Sequence, residues 1–130
     1  MAAAITVPYH FWYTHSDGFE AASGAFYRDE NGREPVREWL RELPPQDRRI
    51  IGEDINDVEF AWPLGLPLIR SLGRSLWEVR SALTQGRIAR IIFCVASGQM
   101  VLLHGFIKKT QATPTQEIDL ALKRMKGDER

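Results

Sequence analysis

The chain has 130 residues, 44% hydrophobic and 26% charged, with 17 basic and 17 acidic side chains. That is enough for one domain with its own core, and it excludes a wholly disordered polymer. The neutral total hides a division: residues 1–69 carry six Arg and no Lys against twelve Asp and Glu, whereas residues 70–130 carry eleven Arg and Lys against five Asp and Glu. A basic half points to an anionic partner, unless the two halves neutralise each other in the fold.

At the N-terminus no basic region precedes the short apolar stretch, and Pro8 interrupts it, so no secretion signal is expected. No apolar run is long enough to span a bilayer. Residues 1–24 read as an extension of unknown role. The aromatic run Tyr9 to His15 has the composition of an edge strand, but His10 and His15 lack the company of other ligands and support no metal site. Ala25 to Asp29 reads as a short strand and Glu30 to Gly32 as a turn. Pro35 then stands where a helix starts, and Val36, Trp39, Leu40 and Leu43 share one helical face. Pro44 and Pro45 end that helix and open a second, whose apolar face is Ile51, Ile55, Val58 and Trp62. The two form a helical hairpin. A loop over 62–67 and a short strand from Leu68 follow.

Three longer strands are expected at about 76–83, 87–95 and 100–107, joined at Gln85-Gly86 and Ser97-Gly98 as antiparallel hairpins. Alternation places Trp77, Val79 and Leu83 on one face and Glu78 and Arg80 on the other. It puts Arg90 opposite Ala89, Ile91, Phe93 and Val95. On the last strand it sets Val101, Leu103 and Ile107 against Leu102, His104, Phe106 and Lys108. Cys94 is the single cysteine and lies in an apolar run, so it reads as a buried small hydrophobe; with no disulfide possible within the chain, a cytoplasmic protein is expected. A C-terminal helix follows, with Thr113 as N-cap, Pro114 as its first residue, Gln116 completing a capping box and Ile118, Ala121, Leu122 and Met125 as its apolar face. The fold class is therefore α+β: an N-terminal helical hairpin on a twisted antiparallel sheet, with a C-terminal helix.

The sequence has no glycine-rich phosphate loop, GxSxG, HExxH or CxxC, so no cofactor or metal is implied. What remains is a sheet face bearing Arg80, Arg90 and Lys108. Such a face suits RNA cleavage, in which the 2′-hydroxyl of the substrate is the nucleophile. The protein then has to orient sugar and phosphate, move two protons and stabilise added negative charge. Arginine fits the last task and lysine or histidine the proton transfers. Each residue also has a plainer reading. Arg80 can pair with Glu78, Lys108 and Lys109 can be a solvated strand end, and His104 can be a hydrogen-bonded structural histidine.

The motifs G-x-x-P-V-x-x-W-L (Gly32 to Leu40), L-W-E-x-R (Leu76 to Arg80), Ala89-Arg90 and H-G-F-x-K-K-T-x-x-T-P (His104 to Pro114) together resemble the RelE/ParE toxin superfamily, and most closely its phage-derived, HigB-like branch. The resemblance covers about residues 25–126, within a toxin domain of 25–130. It implies the toxin of a type II toxin–antitoxin pair, a metal-independent endoribonuclease cutting mRNA on the ribosome. Its implied partners are that mRNA and a cognate antitoxin of the helix-turn-helix kind. It also implies catalytic roles for Arg80, Arg90 and Lys108, and substrate-binding roles for Lys109 and His104. ParE-like members inhibit DNA gyrase instead, and an inactive binding or regulatory module is a further alternative. The RelE branch uses a C-terminal tyrosine, and none follows Tyr27 here.

Overall fold

The computed structural model describes residues 26–61, 69–109 and 111–128. The expected aromatic segment at 9–15 with His10 and His15, the extension 1–24, Trp62 and the loop 62–67 lie outside them.

Helix α1 spans Pro35–Glu42 and helix α2 Pro45–Ala61. The Pro44-Pro45 break falls between them, as steric exclusion of proline from a helix interior requires. The sheet holds β1 (Ile69–Gly73), β2 (Leu76–Ala82), β3 (Ile88–Ala96) and β4 (Gln99–Lys108), all antiparallel in the order β1-β2-β3-β4. Helix α3, Thr115–Gly127, closes the described chain. Ser97 and Gly98 both take positive φ, 53° and 73°, so a two-residue turn of matching twist joins β3 to β4.

The sheet separates two cores. On one face Val36, Leu40, Ile51, Ile55 and Val58 of the helical hairpin meet Val79, Ala89, Ile91, Phe93, Met100 and Leu102. On the other, Ala121 and Leu122 of α3 meet Leu76, Ile92, Cys94, Val101, Leu103 and Phe106. The expected α+β architecture is the observed one. Trp39 and Trp77 pack against the first core from a partly buried position.

Three local expectations need correction. Of the strand expected at 25–29, residue 25 lies outside the described residues and 26–29 form no strand: Phe26 alone among them bridges, in parallel, to Leu102. Simple alternation also fails on β4. Ile92 pairs with His104 but Phe93 pairs with Leu102, so Leu103 is an extra residue and the register shifts there. The bulge puts Leu103 and His104 on the same, α3-facing side. The N-cap of α3 is Pro114, not Thr113, and it has no side-chain cap. The carbonyl of Pro114 accepts from the backbone N–H groups of Glu117 and Ile118, while the Thr113 hydroxyl donates elsewhere.

Two of the sequence motifs meet at one contact. A Cβ added at Gly105 would lie 2.6 Å from Cε3 and Cζ3 of Trp39. Gly105 is therefore the place where the α1 indole rests on bare backbone of β4. Gly105→Ala should lower stability by about 1–3 kcal/mol through overpacking, read as a lower urea midpoint. Combined with Trp39→Leu, the loss should be smaller than the two single losses together, because the clash is gone.

Candidate nucleic-acid interface

The centre of the site is set by strand register. Arg80 of β2 pairs directly with Arg90 of β3, and Arg90 in turn with Phe106 of β4. One row of the α3-facing side thus reads Arg80, Arg90, Phe106. The next row is Arg70, Glu78, Ile92, His104, and on the other side lies Ala82, Ile88, Lys108. The sheet brings Arg80, Arg90 and Lys108 onto one surface, with His104 in the adjoining row.

Like charges directly opposite each other destabilise a sheet. Here the repulsion is met by acceptors from two sources. The segment between β4 and α3 crosses the row and turns its carbonyls inward. Arg80 Nη2 donates to the Gln111 carbonyl at 3.0 Å and to Gln111 Oε1 at 3.2 Å. Arg90 Nη2 donates to the same Gln111 carbonyl at 3.0 Å and Nη1 to the Ala112 carbonyl at 3.1 Å. The second source is Glu78, whose Oε1 lies 3.8 Å from Arg80 Nε. Its other oxygen accepts a short hydrogen bond from the Thr113 hydroxyl.

Burial divides these residues into two kinds. Arg90 is 0% exposed and ranks first by volume among the fully buried side chains. Burial lowers its pKa first, and the positive charge of Arg80 adds to this, while Glu78 opposes it. Guanidinium remains a cation at neutral pH regardless. The Arg80 side chain keeps 21% of its surface, and that of Glu78 keeps none. Arg80 can therefore reach a ligand from above, whereas Arg90 acts from beneath the Gln111-Ala112 carbonyls.

Lys108 Nζ lies 3.7 Å from Glu117 Oε2 with 42% of its side chain exposed, and sits 5.9 Å from the Phe106 ring centre. Lys109 is exposed beyond the end of β4. His104 is held inside. Its Nε2 is 2.9 Å from Glu117 Oε1, its Nδ1 is 3.4 Å from Arg124 Nη1, and its ring stacks on Phe106. Arginine is a donor only, so Nδ1 is the acceptor and Nε2–H donates to the carboxylate. Arg124 Nη1 also donates to the Leu103 carbonyl at 2.9 Å. This is the plainer of the two readings of His104, a bridge between β4 and α3. Tyr27 lies under the Arg124 guanidinium, 5.8 Å from its ring centre, and in the α3 core, not in the arginine row.

A family profile for phage-derived proteins, Gp49-like (DUF891), matches residues 38–126, which takes in the whole sheet and nearly all of α3. The chain belongs to this Gp49-like family. It is a family of RelE-like toxins, which agrees with the resemblance carried by the motifs at this coarser level. No curated protein matches the chain. Among the described residues, no helix is long and apolar enough to cross a membrane.

Two participants in this Gp49-like site were not singled out as site residues in the sequence. Glu78 was legible only as a face-mate of Arg80, and its role depends on Thr113, 35 positions away. Arg70 stands in the register of Glu78 on the edge strand, a pairing that no local signal announces.

The pKa of His104 is lowered from 6.5, mainly by burial, with Arg124 adding to this and Glu117 opposing it. The fold thus favours neutral imidazole, and the associated stability is present above about pH 6.5 and lost as pH falls through the folded value. Unfolding free energy should decrease from pH 7 toward pH 5.5, and His104→Asn should flatten that part of the profile in urea titrations. An unchanged slope in the variant would place the pH response elsewhere.

Proposed function

We propose that this protein is the toxin of a type II toxin–antitoxin pair, a HigB-like endoribonuclease that cuts mRNA on the ribosome without a metal. The observation that carries the reading is the Arg80–Arg90 cross-strand pair. Two facing guanidiniums, one of them fully buried, are an expensive way to hold a sheet together. Apolar residues would do it at lower free-energy cost. The pair makes sense where a group of opposite charge arrives.

The chemistry follows from the layout. The ribose 2′-hydroxyl gives its proton to water as its oxygen attacks the adjacent phosphorus, a 2′,3′-cyclic phosphate forms as the P–O5′ bond breaks, and the 5′-oxygen leaves with a proton. Arg80, partly exposed, offers its guanidinium to the phosphate oxygens as their charge grows. Arg90 holds the Gln111 carbonyl and so fixes the strap against which Arg80 is aimed. Lys108 is at the rim with its ammonium reaching solvent, placed to protonate a leaving oxygen or to bind the backbone, and Lys109 continues the basic edge toward the flanking nucleotide. Glu117 holds both His104 and Lys108 and so sets the position of the latter. The antitoxin, a helix-turn-helix protein in this reading, would cover the same basic surface.

The absence of any tyrosine after Tyr27 favours a second reading in part, in which the fold is kept and the target is DNA gyrase or nothing at all. One induction experiment separates them. Expressed without its neighbouring gene, the wild-type chain should arrest growth and produce new mRNA 5′ ends within coding regions. Arg80→Ala should melt lower than wild type, because Glu78 loses its arginine, yet remain folded at the assay temperature, and lose at least about 100-fold in cleavage, the scale of losing one transition-state donor. DNA-damage signalling without mRNA cleavage would establish the gyrase reading, and no growth effect the inactive one.

A further inference from the structure

The row of arginines has an outer member that neither the motifs nor the mechanism above uses. We infer that Arg70, on the edge strand β1, forms the outward-facing half of a phosphate clamp with Arg80, while Arg90 serves beneath them as a positioning residue. This rests on the reading of the site as an RNA-binding surface and adds a residue to it.

Register puts Arg70 on the right face. It pairs with Glu78, and Glu78 and Arg80 lie two apart on β2, so all three project to the same side of the sheet. Ile69, next to Arg70 and ahead of the irregularity between Ser71 and Gly73, packs against the helical-hairpin core, so Arg70 projects to the opposite, α3-facing side. Diagonal neighbours on one sheet face lie roughly 7–8 Å apart, within the reach of two arginine side chains toward one phosphate or adjacent ones. Helix α3 packs over β3 and β4, which leaves the β1–β2 end of this row outside its main footprint.

Among the arginines of this row and the next, availability separates Arg70 from Arg80 and Arg90. Arg28, Arg33, Arg37 and Arg87 each meet a carboxylate, as do Arg80 and Lys108. The Arg70 side chain is exposed, and its guanidinium makes no hydrogen bond or ion pair with a described residue. The carboxylate directly opposite it, Glu78, is turned to Arg80 and Thr113. Arg70 is nevertheless close enough that its charge acts on Arg90. A guanidinium with no carboxylate among the described residues, beside a partly exposed one, is a place where an anion would relieve repulsion and gain charge-assisted hydrogen bonds. The competing role for a charged residue on an edge strand is to discourage strand pairing. That role needs polarity and bulk, not a site for phosphate.

The test is binding of a short, fluorescently labelled single-stranded RNA by the intact protein, titrated from about 50 to about 300 mM salt, where each lost phosphate contact removes about 0.7 from the slope of log K against log salt. Arg70→Gln and Arg80→Gln should each bind about 5–10-fold more weakly at the lowest salt and show the reduced slope. Arg70→Lys should keep the slope, and Arg49→Gln, on the exposed side of α2, should match wild type. An Arg70→Gln slope equal to wild type, with Arg80→Gln reduced, overturns the clamp and leaves the nuclease reading standing. A wild-type protein that fails to bind, or binds without salt dependence, overturns both. The Arg70 variants should melt within a few degrees of wild type because the side chain is exposed, and urea titration of Arg80→Gln, which loses its bonds to Gln111, fixes conditions in which every variant is folded during the binding measurement.

Discussion

One carbonyl oxygen organises the functional end of this molecule. The main-chain oxygen of Gln111 accepts from both Arg80 and Arg90, which face each other across neighbouring strands. Without it the two guanidiniums would confront each other across β2 and β3 with Glu78 as the nearest carboxylate. With it, the segment that leads into α3 is stitched to the sheet, and the start of the helix is fixed relative to the strands. The site and the fold are therefore not separable. Arg80, proposed to hold phosphate, is also one of the two groups that hold the β4–α3 connection.

Electrostatic balance around that point is local and tight. Glu78 is the one buried carboxylate in the adjoining row among the described residues, and it is shared between an arginine and a threonine hydroxyl. The aromatic ring of Phe106 lies between Arg90 at 6.0 Å and Lys108 at 5.9 Å, an arrangement in which both cations meet the electron-rich ring. On the opposite side of the sheet, Arg87 clamps Asp47 at 2.8 and 3.0 Å while also capping the Thr84–Gly86 turn. That pair ties the β2–β3 hairpin to the start of α2. The basic half of the sequence is thus neutralised only in part: Arg87 goes to the acidic half, and the α3-side row does not.

Much of this could be read from the chain because local rules acted alone. The Pro44-Pro45 break, the apolar faces of the hairpin helices and the Ser97-Gly98 turn all follow from steric and periodic constraints within a few residues. The sharing of one face by Arg80 and Arg90 also follows from alternation, whereas their direct pairing is set by the register that the structure shows. What was not legible depends on distant partners. Thr113 looked like a helix cap because its sequence neighbours fit one, yet a buried carboxylate on β2 competes for its hydroxyl and wins. Leu103 looked like an ordinary alternating residue because a bulge leaves no mark in composition. The burial of Arg90 required knowing that the 111–112 backbone folds over it. Of the two readings of His104, substrate binder or hydrogen-bonded structural histidine, only the structure favours one, because α3 brings Glu117 and Arg124 against its two nitrogens.

The irregularity at Leu103 has a mechanical result. An extra residue in β4 takes one carbonyl out of the regular ladder, and Arg124 of α3 hooks that oxygen. Glu117, seven positions earlier and so on the same stripe of the helix, hooks His104. These are two polar latches, two turns apart, on a helix whose remaining contacts are oily. The packed apolar face sets which side of the helix meets the sheet; the paired latches add a polar constraint on its phase. The kink in the strand thus works as an index mark, and the stiffness it confers on the helix passes directly to the connection that overlies the arginines.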